Sequence, residues 1–390
     1  MPRAFLIVID SVGIGGAPDA DKFFNGDLPD TGANTLGHIA KTVGLDVPTL
    51  DALGLGAAVK LASDMDAPGL GRQPAGAWGA ATEISPGKDT PSGHWELAGV
   101  PVPWDWHVFP DKNPAFPDDL TAEICAKAGT DGILGNRHSS GTPVIVKEGA
   151  EHLRTGWPIC YTSADSVLQI AAHEQHFGLD RLHQLCADLA PTLHAMKVGR
   201  VIARPFVGEV GSFTRTANRK DFAIAPPAPT ICDYVHDAGR KVYAVGKIGD
   251  IFSMRGIDDL RKGRDAELMG HLHDLANEAS DGAFIFANLV EFDSDGHRRD
   301  PAGYAKHLEW FDRELGQLLP KLRPDDLLIV TADHGNDPTW AGTDHTRERV
   351  PVLVHGIGAR DLGQLAFTDV AASIAAHLNV PYQGEGTSFL

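Results

Sequence analysis

The chain has 390 residues, enough for two or three domains and a large buried core. Hydrophobic residues make up 43% and charged residues 22%, an ordinary globular balance, and the formal net charge is -18. That charge argues against nucleic acid as the main partner, because a phosphate backbone needs basic surface, but it leaves room for a small phosphate ligand. Cys125, Cys160, Cys186 and Cys232 show no C-x-x-C spacing and flank no candidate histidine ligand, so they read as inert thiols of a reducing compartment. The apolar run Phe5 to Ile9 is closed by Asp10, too short for a leader or a membrane span. A cytoplasmic protein with no membrane partner is expected; the sequence leaves the oligomeric state open, with a monomer plausible.

Residues 4–9 read as a strand with apolar residues on both faces. Asp10 follows at its carboxyl end, then Ser11, Gly13, Gly15 and Gly16. In open α/β sheets ligands gather beyond strand carboxyl ends, which makes Asp10 a candidate metal ligand. The glycines lack the full dinucleotide fingerprint. Residues 31–38 look like a loop entering a helix, with Asn34 able to cap it or touch a ligand. Residues 87–96, G-K-D-T-P-S-G-H-W-E, place Thr90 before a proline that suits a first helical turn. A hydroxyl at a helix start meets free N–H groups, a good seat for a phosphoryl group. The plainer alternative makes Thr90 a capping residue.

Pro101, Pro103, Pro110, Pro114 and Pro117 then interleave with Trp104, Trp106 and Phe109, which reads as a stiff connection, and Pro226-Pro227-Ala228-Pro229 reads as a second one. Between them, residues 143–146 and 201–206 look strand-like and residues 173–189 look helical. The expectation is a core of residues 1–102 and 225–390 with residues 103–224 inserted as an α+β cap domain. Candidate ligands lie on both sides of the insert, so the flanking segments must share one core. The insert carries Arg200, Arg204, Arg215, Arg219 and Lys220, able to grip a phosphate or to form a solvated face. Asp165, in the stretch 161–166, could accept hydrogen bonds from a sugar hydroxyl.

After the second proline run, residues 241–246 read as a strand with Lys247 at its carboxyl end. Residues 284–290 form another, leading to Asp293 and His297. Asp300-Pro301 starts a helix by cap and first-turn rules. Tyr304, Leu308, Phe311, Leu315 and Leu318 give it one apolar stripe. Residues 327–330 make a further strand, followed at once by Thr331-Ala332-Asp333-His334-Gly335-Asn336. Asp333 and His334 would point to opposite faces of a strand, so they share one ion only if Gly335 and Asn336 turn the chain. His345 comes eleven residues after His334, with Pro338 and Gly342 between to bring it back. A strand at 350–354 and a helix at 368–378 complete the core.

Four expected strands thus end in chemistry, at Asp10, Lys247, Asp293 and Asp333. Carboxylates with imidazoles suit manganese or zinc. Two such ions about 4 Å apart clamp a phosphoryl group during in-line displacement. A phosphate on Thr90 between them would be transferable.

Eight stretches carry a resemblance over nearly the whole length: F-L-I-V-I-D-S-V-G-I-G, D-T-P-S-G-H-W-E, Y-T-S-A-D-S-V-L-Q-I-A-A-H-E, A-R-P-F-V-G, F-T-R-T-A-N-R, G-K-I-G-D, G-H-R-R-D-P-A-G-Y and T-A-D-H-G-N-D-P-T-W-x-G-T-D-H-T-R-E. The chain resembles the phosphopentomutases of the alkaline phosphatase superfamily. The resemblance implies an α/β core with a central, mostly parallel sheet flanked by helices. It implies two Mn2+ ions, one held by Asp10, Asp333, His334 and Thr90, the other by Asp293, His297 and His345. In that pattern Thr90 is the phosphorylated residue and Lys247 lies near it. Asp165, Arg200, Arg215 and the backbone of Ile202 orient a pentose phosphate, and a sugar bisphosphate such as glucose 1,6-bisphosphate primes the enzyme. The segment from Asp293 to His297 is one residue shorter than the family pattern, so Asp295 competes with Asp293 as ligand. The implied reaction converts α-D-ribose 1-phosphate, and its 2-deoxy form, to the 5-phosphate. The alternatives are a cofactor-independent phosphoglycerate mutase or a metal-dependent phosphatase of the same superfamily.

Overall fold

The structure is a computed structural model of the chain and describes residues 1–163 and 165–390. The chain divides into two compact units, Met1–Pro103 with Pro226–Leu390, and Trp104–Ala225.

The first unit is built on an eight-stranded sheet. Its strands lie side by side in the order Asp259–Arg261, Val242–Val245, Phe284–Leu289, Ala4–Ile9, Leu327–Thr331, Val350–His355, Ala77–Thr82 and Arg360–Ala366. Only Val350–His355 runs against the rest. The mostly parallel sheet expected from the sequence is therefore the one observed. Its central strands are apolar on both faces because both faces are covered, and Ala4–Ile9, Phe284–Leu289 and Leu327–Thr331 are buried at every position. Helices Asp265–Glu278 and Thr368–Leu378 pack against these central strands, and Leu55–Ser63 packs against Ala77–Thr82, Val350–His355 and Arg360–Ala366. The helix Pro301–Leu318 begins as expected, with the Asp300 carboxylate accepting from the Gly303 N–H and Pro301 in the first turn. Its stripe of Tyr304, Leu308, Phe311, Leu315 and Leu318 is buried.

The strand Ala77–Thr82 gives no strand signal in the sequence, being A-W-G-A-A-T. Its small residues are there for close approach: a Cβ on Gly79 would stand 2.8 Å from the Gly363 carbonyl oxygen of the neighbouring strand.

The second unit has a six-stranded sheet whose main path runs Lys220–Ala223, Arg200–Val207, Val167–His173, Ile159–Thr162 and Leu134–His138. The helix Leu179–Ala195 links two parallel neighbours, Val167–His173 and Arg200–Val207. One expectation fails here. Residues 143–146 are not a strand but lie in the helix Gly141–Thr155. Pro143 falls in the first turn, where no N–H is needed. Val144, Ile145, Gly149 and His152 are buried at helical spacing, so tertiary burial overrides the β-branched local preference. Among the described residues no helix is long and apolar enough to cross a membrane.

Candidate metal centre

The parallel register sets the centre. Ile9 pairs with Leu289 and Val8 with Thr331, so Asp10, Asp293 and Asp333 leave the sheet at the same edge. Asp10 continues the pairing by donating its N–H to the Leu289 carbonyl at 3.1 Å. The chain then turns sharply at Ser11, whose φ is +68°. That left-handed conformation costs about 1–2 kcal/mol for an L-residue. It is held by the Ser11 N–H donating to Asp333 Oδ1 at 3.0 Å and by its hydroxyl 2.9 Å from the buried Tyr304 hydroxyl.

Gly335 forms an isolated antiparallel bridge with Thr346, with N–H to carbonyl distances of 3.0 and 2.8 Å. This pairing returns the chain, so that His345 stacks on His334 with ring centres 4.0 Å apart. Glu348 secures the turn. It accepts from the N–H groups of Gly15 and Thr35 and from the hydroxyls of Thr35 and Thr346.

Two sets of ligand atoms result: Asp10, Asp333 and His334 in one, Asp293, His334 and His345 in the other. His334 Nε2 lies 3.6 Å from Asp10 Oδ1, 3.4 Å from Asp333 Oδ2 and 3.4 Å from the Thr90 hydroxyl. Asp293 reaches His345 Nε2 at 3.2 Å and His297 Nε2 at 3.1 Å. Asn336 donates to Asp293 at 2.8 Å. Asp295 points elsewhere, its Oδ2 3.1 Å from His307 Nδ1, so of the two carboxylates Asp293 is the one in the cluster.

Thr90 is the first residue of the helix Thr90–Leu97 and not its cap. Asp89 takes that role by accepting from the Ser92 N–H at 3.0 Å. Lys247 is exposed at the carboxyl end of Val242–Val245, where it precedes the short helix Ile248–Ile251.

In the second unit, Asp165 is exposed, Arg200 is half-buried at the start of its strand and Ile202 is buried within it. Arg215 pairs opposite Phe206. Six residues separate Arg200 from Phe206, so the two arginine backbones stand roughly 20 Å apart along the sheet. Arg215 lines a cavity of about 330 Å3 with Thr142, Ile145, Phe213 and Thr214. Within this unit, Arg200 and Arg215 are thus not gathered at one point.

Burial and crowding of like charge dominate the electrostatics. Burial pushes the Asp10 carboxyl far up, and Asp333 and Asp293 push it further. Burial pushes the His334 imidazole down to about 4, against the pull of Asp333. Burial also works against a charged His345, but the adjacent Asp293 wins and raises it to about 10.

Residues absent from the sequence reading stand beside the cluster. His94 is fully buried with Nδ1 3.0 Å from Asp333 Oδ2. Asn288 donates to Asp10 Oδ2 at 2.9 Å. Asn288 had a visible signal, as the one amide in the apolar strand F-I-F-A-N-L.

A family model described as the Metalloenzyme superfamily matches residues 2–382. A phosphopentomutase of Chelativorans sp. (strain BNC1) is 52% identical over 409 residues, covering 100% of this chain and 98% of its own length. The chain belongs to the phosphopentomutase family. Membership makes it an enzyme of the isomerase class. A phosphopentomutase of Methylorubrum extorquens (strain PA1) is also 52% identical, over 410 residues and 100% of both chains. Among solved structures, a phosphoglycerate mutase of Leishmania mexicana aligns with 99% of this chain and 96% of its own at 13% identity, with a TM-score of 0.48.

Proposed function

We propose that the protein interconverts the 1- and 5-phosphates of ribose and 2-deoxyribose through a phosphorylated Thr90. The observation that carries the reading is that Asp10, Asp333 and His334 form one ligand set and that the Thr90 hydroxyl, at a helix start, lies 3.4 Å from His334 Nε2.

The residues fit a pair of divalent cations, for which manganese is the proposed metal. His297, His334 and His345 each direct Nδ1 at a backbone carbonyl, of Thr343, Gly335 and Lys88. A carbonyl only accepts, so each Nδ1 carries a proton and each Nε2 is the atom left to bind a metal or, without one, a second proton. Those Nε2 atoms face carboxylate oxygens, an arrangement that needs a cation or a proton between them. Asp10 Oδ1, Asp333 Oδ2 and His345 Nε2 are buried with no hydrogen-bond partner. Asp10, Asp333, His334 and Thr90 would hold one ion, and Asp293, His297 and His345 the other. When bound, the ions supply Lewis acidity and offset the charge of a phosphoryl group.

The chain's own residues do the rest. Thr90 sits at the first position of its helix, where the positive end of the helix dipole favours a phosphate. Its Oγ–P bond breaks as the sugar's free hydroxyl attacks phosphorus, and the hydroxyl's proton ends on the Thr90 Oγ, leaving a sugar bisphosphate and a free threonine. The bisphosphate returns its other phosphoryl group to Thr90 and departs as the isomer. A sugar bisphosphate such as glucose 1,6-bisphosphate would prime a chain that starts unphosphorylated. Lys247 would offset phosphate charge. Asp165, Arg200, Arg215 and the Ile202 backbone would hold the sugar phosphate, the two arginines at separate parts of it.

Thr90→Ala tests the reading. The variant should bind two metal ions per chain, gain no phosphate by intact mass after incubation with a sugar bisphosphate, and lose isomerisation of ribose 1-phosphate. Activity retained in Thr90→Ala would remove the residue from the mechanism.

A further inference from the structure

We propose that His94, held in one tautomer by the Thr90 carbonyl, is a positioning residue that sets the spacing of Asp10 and Asp333 and ties both to the start of the Thr90 helix. The inference rests on the two-ion reading above.

The argument begins with Asn288. Its Nδ2 lies 2.9 Å from Asp10 Oδ2 and 2.9 Å from His94 Nε2. The Thr90 carbonyl, 2.9 Å from His94 Nδ1, only accepts, so Nδ1 carries the proton, Nε2 is an acceptor, and the amide must turn its NH2 group, not its oxygen, toward the ring. The other amide hydrogen then points at Asp10 Oδ2. A hydrogen-bonded chain, Asp10–Asn288–His94–Thr90, thus runs beneath the cluster and holds the edge of the imidazole against Asp333.

The site admits no looser version of this chain. His94 and Asn288 are fully buried, so no water competes for these contacts. The imidazole lies against Phe286 at a ring separation of 6.0 Å. The amide N–H bonds Asp10, and the polar edge of the ring stands 3.0 Å from Asp333 Oδ2. The spacing of the carboxylates then does not depend on the ion's arrival, and the ion meets a set already in place.

The test is the Mn2+ affinity of chelator-stripped protein, read by calorimetry, for the parent, His94→Ala and Asn288→Ala. His297→Ala, which alters only the second ligand set, marks which affinity belongs to which ion. We expect both variants to bind the Asp10-side ion about 10- to 100-fold more weakly. The other ion should stay within twofold of the parent. kcat should fall with that affinity while KM for the sugar phosphate is unchanged, since neither residue is placed on the sugar. A structural role alone would lower the melting temperature and leave both affinities alike, and that result overturns the inference. If His94→Ala fails to fold, Asn288→Ala carries the test on the same criteria. A parent that binds two ions but isomerises no pentose phosphate would sink the proposed function and leave this inference standing. Unchanged affinities in the variants of an active parent would sink the inference alone.

Discussion

Gly93 offers the most direct test of how the Thr90 helix is seated. A Cβ at that position would stand 2.2 Å from the Asp333 carbonyl oxygen and 2.8 Å from the Asp333 Cβ. The nearest obstacle is backbone at the end of a buried central strand, so no flexible side chain can swing away. Non-bonded heavy atoms rest about 3.5 Å apart, so Gly93→Ala must push helix and strand end apart by roughly 1 Å. Thr90 lies on the same helix, three residues earlier, and Asp333 is itself in the cluster. The displacement therefore falls between the reacting hydroxyl and its partners. A misplacement of about 1 Å costs on the order of 100-fold in rate, about 2.7 kcal/mol in barrier height. The assay is steady-state isomerisation of ribose 1-phosphate beside far-ultraviolet circular dichroism and a urea unfolding curve. We expect a folded variant with kcat reduced by about 100-fold and a smaller change in KM. A variant active within about threefold of the parent would refute the claim that close packing of this helix on Asp333 sets the reaction geometry.

Two further predictions concern the cluster and its support. Adding Mn2+ at 100 times its dissociation constant to chelator-stripped protein should raise unfolding stability by about 2.7 kcal/mol per ion, read as a higher urea midpoint, and no rise would exclude native-state metal binding there. Burial, with Asp337 nearby, pushes the Glu348 carboxyl from its ordinary 4.5 up to about 7. A raised folded-state value means that its contribution is fully present below pH 4.5 and lost as pH rises through 7. In metal-free protein that is about 3 kcal/mol over the window. Glu348→Gln should flatten this part of the stability-against-pH curve measured by urea unfolding, and an unchanged slope would remove Glu348 as its source.

The elements legible in the sequence were those whose local chemistry agreed with their tertiary setting. Asp300-Pro301 opens a helix by capping rules, and the apolar runs of the central strands declare burial on both faces. The ends of those strands were visible because a carboxylate after an apolar run is conspicuous. Ala77–Thr82 was hidden because its alanines and Gly79 serve backbone approach, which leaves no hydrophobic signature. Residues 143–146 misled for the opposite reason: β-branched side chains advertised a strand, and burial at helical spacing prevailed. At the cluster, residues with charge or an unusual setting stood out. His94 did not, because its role depends on Asn288 and Asp333, both distant in the chain, and no spacing rule joins them.

The central strand of the sheet, Ala4–Ile9, leaves the ribosome before the other strands of that sheet, and its two neighbours, Phe284–Leu289 and Leu327–Thr331, come some 280 and 320 residues later. At translation rates of about 5–20 residues per second, it waits roughly 15 to 60 seconds for the first of them. Residues 104–225, a contiguous stretch, have everything needed for their own sheet well before that. A nascent chain of this protein therefore carries an unpaired apolar strand through most of its synthesis, an adhesive edge in a crowded cell. Yield in recombinant expression should accordingly depend on chaperone supply and temperature more than the stability of the finished fold would suggest.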